Sequence, residues 1–288
     1  MTIEFKPLSD ALGAEAVGVN AADDFCDATI AELNDGWLRH KILLFRDQDL
    51  TVEQQMAFTG RFGKLMNLAP PAKPFIPEHP EMSVFSNIKV DGKPIGSRPD
   101  RAFGANWHSD NSFLRVPAGG SFFYAKEVPE EGGDDTWFAN MTTAYEALPD
   151  EMKSKLEGLR WNYSHVTTLQ LHNPKLPPFT EEDKRALPDV SHPFVHTHTE
   201  TGKRALFVGI LDTREASVDG MSKQEGIEFL DELRTFATQP QFTYVHKWTP
   251  GEAIFWDNRC VLHRGSIFPD TNGRRLCYRA TTLGVGPS

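Results

Sequence analysis

The sequence predicts a single, mostly β domain with helices flanking it, and its strands are expected to form a jelly roll. Short apolar runs with strand-like alternation recur from the N-terminus to residue 282, and only a few segments have helical spacing. No internal repeat, charge block or change in composition marks a linker. We therefore expect residues 1–288 to form one domain, with loop insertions near residues 66–104 and 165–198.

In the first part of the chain, short strands precede and separate two helices. Thr51 and Gln54 form a capping box, in which the threonine hydroxyl accepts from a free backbone N–H group and the glutamine side chain reaches back. The predicted elements are strands over Ile3–Leu8 and Ala14–Val19, a helix over Asp27–Arg39, a strand over Lys41–Phe45 and a helix from Thr51 to about Phe62.

Two proline-rich segments interrupt the middle of the chain. The segment from Met66 to Gly104 is either the wall or lid of an active site or a solvated loop, and its composition favours neither. Residues 170–193 are expected to form a second long loop. Between and after these segments we predict strands over Met82–Ile88, Gly120–Lys126, Thr136–Asn140 and Ala205–Gly209, and one or two helices over Thr143–Gly158.

The C-terminal part begins with a second capping box, formed by Ser222 and Glu225. The helix that it opens places an apolar stripe on one face, which predicts that this face packs against the core. Three strands are predicted to follow, over Gln241–Trp248, Ala253–Trp256 and Arg275–Thr282.

Charge and cysteine content exclude several classes of function. The net charge of −10 argues against a surface that binds nucleic acid or an anionic membrane, and an anionic substrate would need a local positive pocket. Three widely spaced cysteines, Cys26, Cys260 and Cys277, fit neither a disulfide framework nor a metal knuckle, so a reducing, cytoplasmic setting is expected. The N-terminal residues lack the pattern of a signal peptide, and no apolar run approaches the roughly 18 residues of a membrane span.

A candidate metal site is indicated by His108 and Asp110, which an extended strand would place on the same face. His263 would complete a set of two histidines and one carboxylate, which leaves positions open on a non-haem iron(II) for a co-substrate and oxygen. A single His-x-Asp match can arise by chance, so this assignment depends on the accompanying motifs.

The last predicted strand carries two arginines on one face. Period-two alternation places Arg275 and Arg279 together with Cys277, whereas Arg274 lies on the opposite face. Two guanidinium groups that face a core are costly unless each meets an anion, and arginine binds carboxylates bidentately. The alternative is that this face is exposed and both arginines are surface charges.

Together these motifs resemble the taurine dioxygenase family of iron(II)- and 2-oxoglutarate-dependent enzymes. The resemblance extends over nearly the whole chain. It is carried by His108-x-Asp110, the Gly-Gly-Asp-x-Thr136 stretch, Trp256-Asp-Asn-Arg259, His263 and Arg275-x3-Arg279.

The resemblance implies a double-stranded β-helix in which His108, Asp110 and His263 hold iron(II). It further implies that Arg275 and Thr136 bind the distal carboxylate of 2-oxoglutarate, that Arg279 faces the acidic group of the primary substrate, and that O2 is consumed. Asp135 is one residue more than the family pattern has before the threonine.

Within the family, the stretches Trp107–Asp110 and Trp256–Gly265 are most similar to the enzymes that oxidise phenoxyacetates. The expected substrate is therefore a small organic anion of the aryloxyalkanoate type. Hydroxylation beside its ether oxygen would release a phenol and an oxo-acid, with succinate and CO2 as co-products. Lys73 lies near the position of a lysine in the phenoxyacetate enzymes and is a candidate substrate-binding residue.

Two other functions stay open. Arg279 cannot distinguish a carboxylate from a sulfonate by charge, so the substrate could be an alkylsulfonate such as taurine, or a sulfate ester. A protein of a different class, a jelly-roll binding protein stabilised by a metal with a closed ligand shell, would use the same residues without catalysis.

The sequence leaves the oligomeric state open, and a homo-oligomer is compatible with it. His198 is expected to be a structural histidine.

Overall fold

The structure is a computed structural model that describes residues 2–67, 76–96, 105–129, 135–172, 174, 176–210, 212–266 and 273–286. Its strands are β1 Phe5–Pro7, β2 Ala14–Ala16, β3 Ile42–Phe45, β4 Met82–Ser86, β5 Lys89–Val90, β6 Lys93–Pro94, β7 Ala118–Glu127, β8 Thr136–Asn140, β9 Arg160–Tyr163, β10 Val190–Pro193, β11 Val195–Thr197, β12 Arg204–Leu206, β13 Ala216–Val218, β14 Thr243–His246, β15 Glu252–Asp257, β16 Val261–Gly265 and β17 Leu276–Leu283. Its helices are α1 Asp27–His40, α2 Val52–Gly60, α3 Met141–Glu146, α4 Asp150–Leu156, α5 His165–His172, α6 Glu181–Ala186 and α7 Lys223–Ala237, with 3-10 turns at Thr213–Glu215 and Pro240–Phe242.

The largest sheet has seven strands in the order β1-β2-β3-β15-β7-β17-β4. All of its neighbouring strands are antiparallel except β2 and β3, which are parallel. Its central strands are covered on both faces, so nearly every residue of β3, β7 and β15 is buried. Such strands are expected to be continuous apolar runs, as Ile42–Phe45 is.

The outer face of this sheet packs against α1 and α2. Phe122 and Phe255 are paired across β7 and β15, and both belong to the apolar cluster that includes Trp37 of α1 and Phe58 of α2. The Trp37 and Phe255 rings stack with their centroids 4.4 Å apart. Both helices begin where the sequence predicted, and the Thr51–Gln54 capping box is formed.

The inner face packs against a second sheet of three strands, in the order β14-β8-β16. Phe123, Trp256 and Cys277 of the large sheet share one buried cluster with Phe138 of β8. The same cluster continues into α7, whose buried residues include Leu230 and Leu233 of the predicted stripe. The space between the two sheets is therefore where inward-facing polar side chains meet.

The prediction of a mostly β chain is only partly confirmed, because the described residues form a mixed α/β structure. Residues 170–193 were expected to be a loop, but they contain the end of α5, the whole of α6 and β10. A third capping box, Thr180 with Asp183, begins α6. The prolines that suggested a loop lie outside these helices, so they bound the elements rather than prevent them.

Several strands that the sequence analysis missed are short: β9, β11, β13 and β16. The most important is β16, Val261–Gly265, which carries His263 and is joined to β15 by a tight turn. Boundaries also differ: α2 ends at Gly60, and Arg275 lies just before β17. Within the described residues, no helix is both long enough and apolar enough to cross a membrane.

Gly120 lies where α1 meets the large sheet, and a Cβ atom there would stand 2.4 Å from the Phe255 ring and 2.9 Å from Trp37. We expect Gly120→Ala to lower the free energy of unfolding by about 1–3 kcal/mol, because neither buried ring can move away. Gly60, at the end of α2, has no atom within 4 Å of such a Cβ, so Gly60→Ala is the matched control and should be neutral or stabilising. Urea denaturation of both variants is the measurement. Equal shifts of the two midpoints would contradict the close approach at Gly120.

Candidate active site

His108, Asp110 and His263 converge between the two sheets, and their potential ligand atoms all lie within 4.8 Å of one another. The two histidines are held by their backbones: each donates its N–H to the carbonyl of the other, at 2.9 and 2.8 Å. Their ring centroids are 4.2 Å apart. His108 and His263 are 155 positions apart in the sequence, and the pairing of His108 with β16 brings them together.

The expected reason for the proximity of His108 and Asp110 is wrong. Residues 106–110 do not form an extended strand: His108 makes an isolated bridge with His263, and the chain turns at Asp110 and Asn111, where Asn111 has a φ of 53°. Period-two alternation therefore does not place Asp110. Its position depends on specific hydrogen bonds, beginning with its own N–H, which donates to Asn258 Oδ1 at 3.1 Å.

Two groups hold the Asp110 carboxylate, which is only 4% exposed. Ser121 Oγ donates to Oδ2 at 2.7 Å, and the Arg279 guanidinium donates to Oδ1. Burial by itself would raise the pKa of Asp110, but the Arg279 charge, the two imidazoles and the Ser121 hydrogen bond together lower it to about 2. Asp110 is therefore ionised at neutral pH.

Both histidines are neutral at neutral pH. Burial lowers the pKa of His108, and burial together with repulsion from His108 lowers the pKa of His263 to about 3. His108 Nδ1 lies 2.8 Å from the Asn106 carbonyl, which can only accept, so Nδ1 carries the hydrogen and Nε2 keeps its lone pair. Two neutral imidazoles and one carboxylate are the protonation states that divalent-metal ligation requires.

A helix outside the sheets also holds this segment. Arg234 of α7 donates to the carbonyl of Trp107, the residue before His108, at 2.6 Å. Arg264, which follows His263, lies with its guanidinium 5.4 Å from the Trp107 ring and 4.2 Å from the Trp137 ring. The sequence analysis assigned a role to neither arginine, although Arg264 lies within the Trp256–Gly265 stretch, because each contacts a distant part of the chain.

The two arginines near the C-terminus lie as the alternation predicted. Arg279 is paired across the sheet with Phe123 and Ser83, and Cys277 is buried in the inner cluster. Arg274, assigned to the other face, is exposed and forms an ion pair with Glu127 at 2.7 Å. The Arg279 guanidinium lies 5.0 Å from the Phe85 ring, and that of buried Arg275 lies 5.9 Å from the Phe123 ring. The alternative of two solvent-exposed arginines is therefore wrong.

Thr136 lies at the start of β8, where its hydroxyl oxygen accepts from Trp248 Nε1 at 2.9 Å. The Trp248 ring packs on Phe123 with centroids 5.1 Å apart, and Phe123 in turn lies beneath Arg275. Thr136 and Arg275 are thus connected through two aromatic rings. Lys73 falls outside the described residues, as do the Gly132-Gly133-Asp134 stretch and residues 97–104.

A second group with the composition of a metal site comprises His198, Asp257 and Cys260. Arg259 occupies both oxygens of Asp257, with distances of 2.7 and 2.8 Å, and His198 Nε2 lies 2.9 Å from Oδ2. Burial raises the pKa of the Cys260 thiol well above its usual value, so the thiolate that a metal needs is disfavoured. This group is a buried ion-pair network, in agreement with the structural role expected for His198.

Comparison with known proteins identifies the family. Residues 4–281 match the family described as "Taurine catabolism dioxygenase TauD, TfdA family". The chain belongs to this family. It is therefore an α-ketoglutarate-dependent dioxygenase, an enzyme that uses iron(II) and 2-oxoglutarate (α-ketoglutarate). The alternative of a non-catalytic binding protein is set aside.

Relatives and a solved structure cover the chain almost completely. The α-ketoglutarate-dependent 2,4-dichlorophenoxyacetate dioxygenase of Cupriavidus pinatubonensis is 35% identical, over 98% of each chain. The (S)-phenoxypropionate/α-ketoglutarate dioxygenase of Sphingobium herbicidovorans is 34% identical, over 98% of this chain and 95% of that one. The crystal structure of AAD-2 in complex with Mn(II) and N-oxalylglycine matches with a TM-score of 0.80 at 29% identity, over 100% of this chain and 99% of that one.

Substitutions in the two groups of potential ligands are expected to affect metal binding differently. We expect His263→Ala to weaken Mn(II) binding at least about 100-fold, because it removes one of the three candidate ligands. Cys260→Ala should bind Mn(II) as the unchanged protein does, because its cluster already satisfies its own charges. Titration of free Mn(II), followed by electron paramagnetic resonance, measures both. Loss of Mn(II) binding in Cys260→Ala, with binding retained in His263→Ala, would show that the metal binds at the His198, Asp257 and Cys260 group instead.

Proposed function

We propose that this dioxygenase oxidises an aryloxyalkanoate-type carboxylate at an iron(II) held by His108, Asp110 and His263. The observation that carries the proposal is the convergence of two neutral imidazoles and one ionised carboxylate beside the Arg279 guanidinium. Three protein ligands leave positions open for a co-substrate and oxygen, unlike a structural metal site. Two relatives named for phenoxyalkanoate substrates support the choice of substrate class.

The proposed scaffold is a double-stranded β-helix, or jelly roll, formed by the seven-stranded sheet and the β14-β8-β16 sheet. The AAD-2 similarity supports it. We further propose that residues 1–288 form one dioxygenase domain, with insertions near 66–104 and 165–198, the second of which contains α5, α6 and β10. In such a scaffold the ligands come from rigid strands and their immediate neighbours, so they are held before any metal or substrate binds.

Bound iron(II), with 2-oxoglutarate and oxygen, would supply the oxidising power for attack on a C–H bond, with succinate and CO2 released. The residues of the chain then have three tasks. His108, Asp110 and His263 would hold the metal, two basic residues would orient two organic anions, and the aromatic side chains between the sheets would exclude water.

Arg275 and Thr136 are proposed to bind the distal carboxylate of 2-oxoglutarate. Because Trp248 donates to the Thr136 oxygen, the hydroxyl hydrogen of Thr136 remains available to donate to a carboxylate. Arg275 is buried, so a carboxylate that reaches it forms a charge-assisted contact in a medium of low dielectric. The extra residue Asp135 does not prevent β8 from beginning at Thr136.

Arg279 is proposed to bind the acidic group of the primary substrate, because it lies against Asp110 and hence beside the metal position. The Phe85 and Phe123 rings, 5.9 Å apart, line the same face of the sheet and suit an aromatic substrate. Lys73 is proposed as a second contact with the substrate anion. An aryloxyalkanoate oxidised beside its ether oxygen would give an unstable hemiacetal that releases a phenol and an oxo-acid.

Arg275 and Arg274 provide a matched pair for testing the 2-oxoglutarate site. Arg275→Ala should raise the 2-oxoglutarate concentration required for half-maximal succinate release at least about 10-fold, because a charge-assisted contact is worth about 1.5–3 kcal/mol. Arg274→Ala removes the same charge from the exposed face and should have little effect. Greater sensitivity of Arg274 would show that the wrong face of the strand has been assigned to the co-substrate.

The substrate class is tested by competition. Supplied together at equal concentration with iron(II), 2-oxoglutarate and oxygen, an aryloxyacetate or aryloxypropionate should be consumed faster than taurine. Arg279→Ala should weaken binding of the aryloxy acid while 2-oxoglutarate still binds, measured by anaerobic titration. Faster consumption of taurine would replace the aryloxyalkanoate by an alkylsulfonate and leave the iron and 2-oxoglutarate assignments unchanged.

A further inference from the structure

We propose that Ser121 and Asn258 form a hydrogen-bonded ring with Asp110 that positions this carboxylate for metal binding. The inference rests on the proposed metal site and adds to it two residues that contact neither metal nor substrate. Both are almost fully buried, with exposed fractions of 0% for Ser121 and 1% for Asn258. They lie on β7 and on the turn between β15 and β16.

The ring closes through three hydrogen bonds. The Asp110 backbone N–H donates to Asn258 Oδ1 at 3.1 Å. Asn258 Nδ2 donates to Ser121 Oγ at 2.9 Å, and Ser121 Oγ donates to Asp110 Oδ2 at 2.7 Å. One residue, Asp110, is thus held at both its backbone and its carboxylate by the same pair of side chains.

The direction of every hydrogen bond in the ring follows from chemistry. Asn258 Oδ1 faces two groups that can only donate, the Asp110 N–H and the Trp256 indole N–H at 2.9 Å. The amide of Asn258 therefore cannot be reversed, and its NH2 group must face Ser121. Because Ser121 Oγ accepts from this group, its single hydrogen is left for Asp110 Oδ2.

The ring determines which carboxylate oxygen is left for a metal. Ser121 donates to Oδ2, whereas Oδ1 lies 3.8 Å from His263 Nε2, on the side of the histidines. Oδ1 accepts from Arg279, and its second lone pair remains for a metal. Without the Ser121 hydroxyl, Oδ2 would lose this donor in a buried setting, and the carboxylate could rotate about its last bond. Hydrogen bonds to metal-ligating carboxylates fix such rotations, and their loss weakens metal affinity about 10–100-fold.

Ser121 precedes the apolar run Phe122–Ala125, on a strand that is buried from Ala118 to Ala125. A buried hydroxyl is costly unless its hydrogen-bonding capacity is used. Here it is used on the metal side: besides Asp110 and Asn258, the Ser121 oxygen lies 3.2 Å from Thr281 Oγ1, which has a hydrogen to donate. Because Ser121 Oγ can accept from both Asn258 and Thr281, its own hydrogen is donated to Asp110 Oδ2.

The test compares two serines of equal size and similar burial. Ser121→Ala removes the donor to Asp110. Ser109→Ala is the control, because Ser109 is 3% exposed and adjacent to Asp110, yet its hydroxyl donates to the Val261 carbonyl at 3.3 Å. Mn(II) affinity is measured by electron paramagnetic resonance of the free ion, and thermal unfolding of the metal-free proteins is followed in parallel. Ser121→Cys fills the original space with a weaker donor and serves if the alanine variant does not fold.

We expect Ser121→Ala to bind Mn(II) about 10–100-fold more weakly than the unchanged protein, Ser121→Cys to be weakened to a smaller extent, and Ser109→Ala to bind within twofold. A purely structural role would lower the melting temperature of Ser121→Ala and leave the Mn(II) affinity of the folded protein unchanged. That result, or unchanged affinity in Ser121→Cys when Ser121→Ala does not fold, would overturn the proposal.

The His263→Ala variant separates the two levels of the argument. If Mn(II) binding depends on His263 but not on Ser121, the ring is wrong and the metal site stands. If Mn(II) binding is independent of His263, the proposed metal site itself is wrong, and the ring has no metal ligand to position.

Discussion

The candidate site depends on one constraint, which is that the Asp110 carboxylate must remain ionised while it is almost completely buried. A charge removed from water is tolerated only if nearby charges and hydrogen-bond donors compensate for the lost solvation. Arg279 supplies the compensating charge and Ser121 supplies a donor, and together with the two imidazoles they hold the pKa of Asp110 near 2. The packing of β7, β16 and β17 brings Ser121, His263 and Arg279 to this one carboxylate.

Asp110 and Asp257 have similar charged neighbours but differ in how their carboxylate oxygens are bound. Both aspartates are buried, both carry a lowered pKa, and each lies near a histidine and an arginine. Arg259 contacts both oxygens of Asp257, so this carboxylate is fully committed within the protein. Asp110 has one oxygen directed to the side of His263, with a second imidazole nearby. Both Asp110 oxygens also accept a hydrogen bond, Oδ1 from Arg279 and Oδ2 from Ser121, but each Asp257 oxygen accepts two. The two sites therefore differ in the lone pairs that remain for a further cation, and residue composition alone does not reveal this.

The two faces of the large sheet have different roles: one packs against helices, and the other faces the candidate site. Outward residues such as Phe122 and Phe255 stack against Trp37 and fix α1 and α2. Inward residues of the same strands, Ser121, Phe123 and Trp256, face the space where the candidate ligands meet. Because side chains alternate along a strand, the helices that stabilise the sheet also hold the inward residues in register. A shift of one residue would exchange the two sets.

The sequence by itself determined the local features and the residue types of the site. The capping boxes at Thr51 and Ser222 and the helices that follow them were predictable, because each depends on neighbours within a few positions. The same holds for the apolar strands predicted over Lys41–Phe45 and Ala253–Trp256, which the structure forms with bounds one residue different. The motif residues His108, Asp110, His263, Arg275 and Arg279 were also evident, as was the face that the two arginines share. The family followed from these motifs together.

Only the tertiary structure decided how those residues meet. Two contacts join residues more than 150 positions apart: the pairing of His108 with a strand that the sequence analysis missed, and the contact of Arg279 with Asp110. The turn at Asp110 is local, but the sequence analysis expected a strand there. Ser121, Asn258 and Arg234 carried no signal strong enough to be singled out, although a lone serine in a buried apolar strand was a clue. Local patterns report propensity and alternation over a few residues, whereas hydrogen bonds between distant segments depend on the packing of the complete chain.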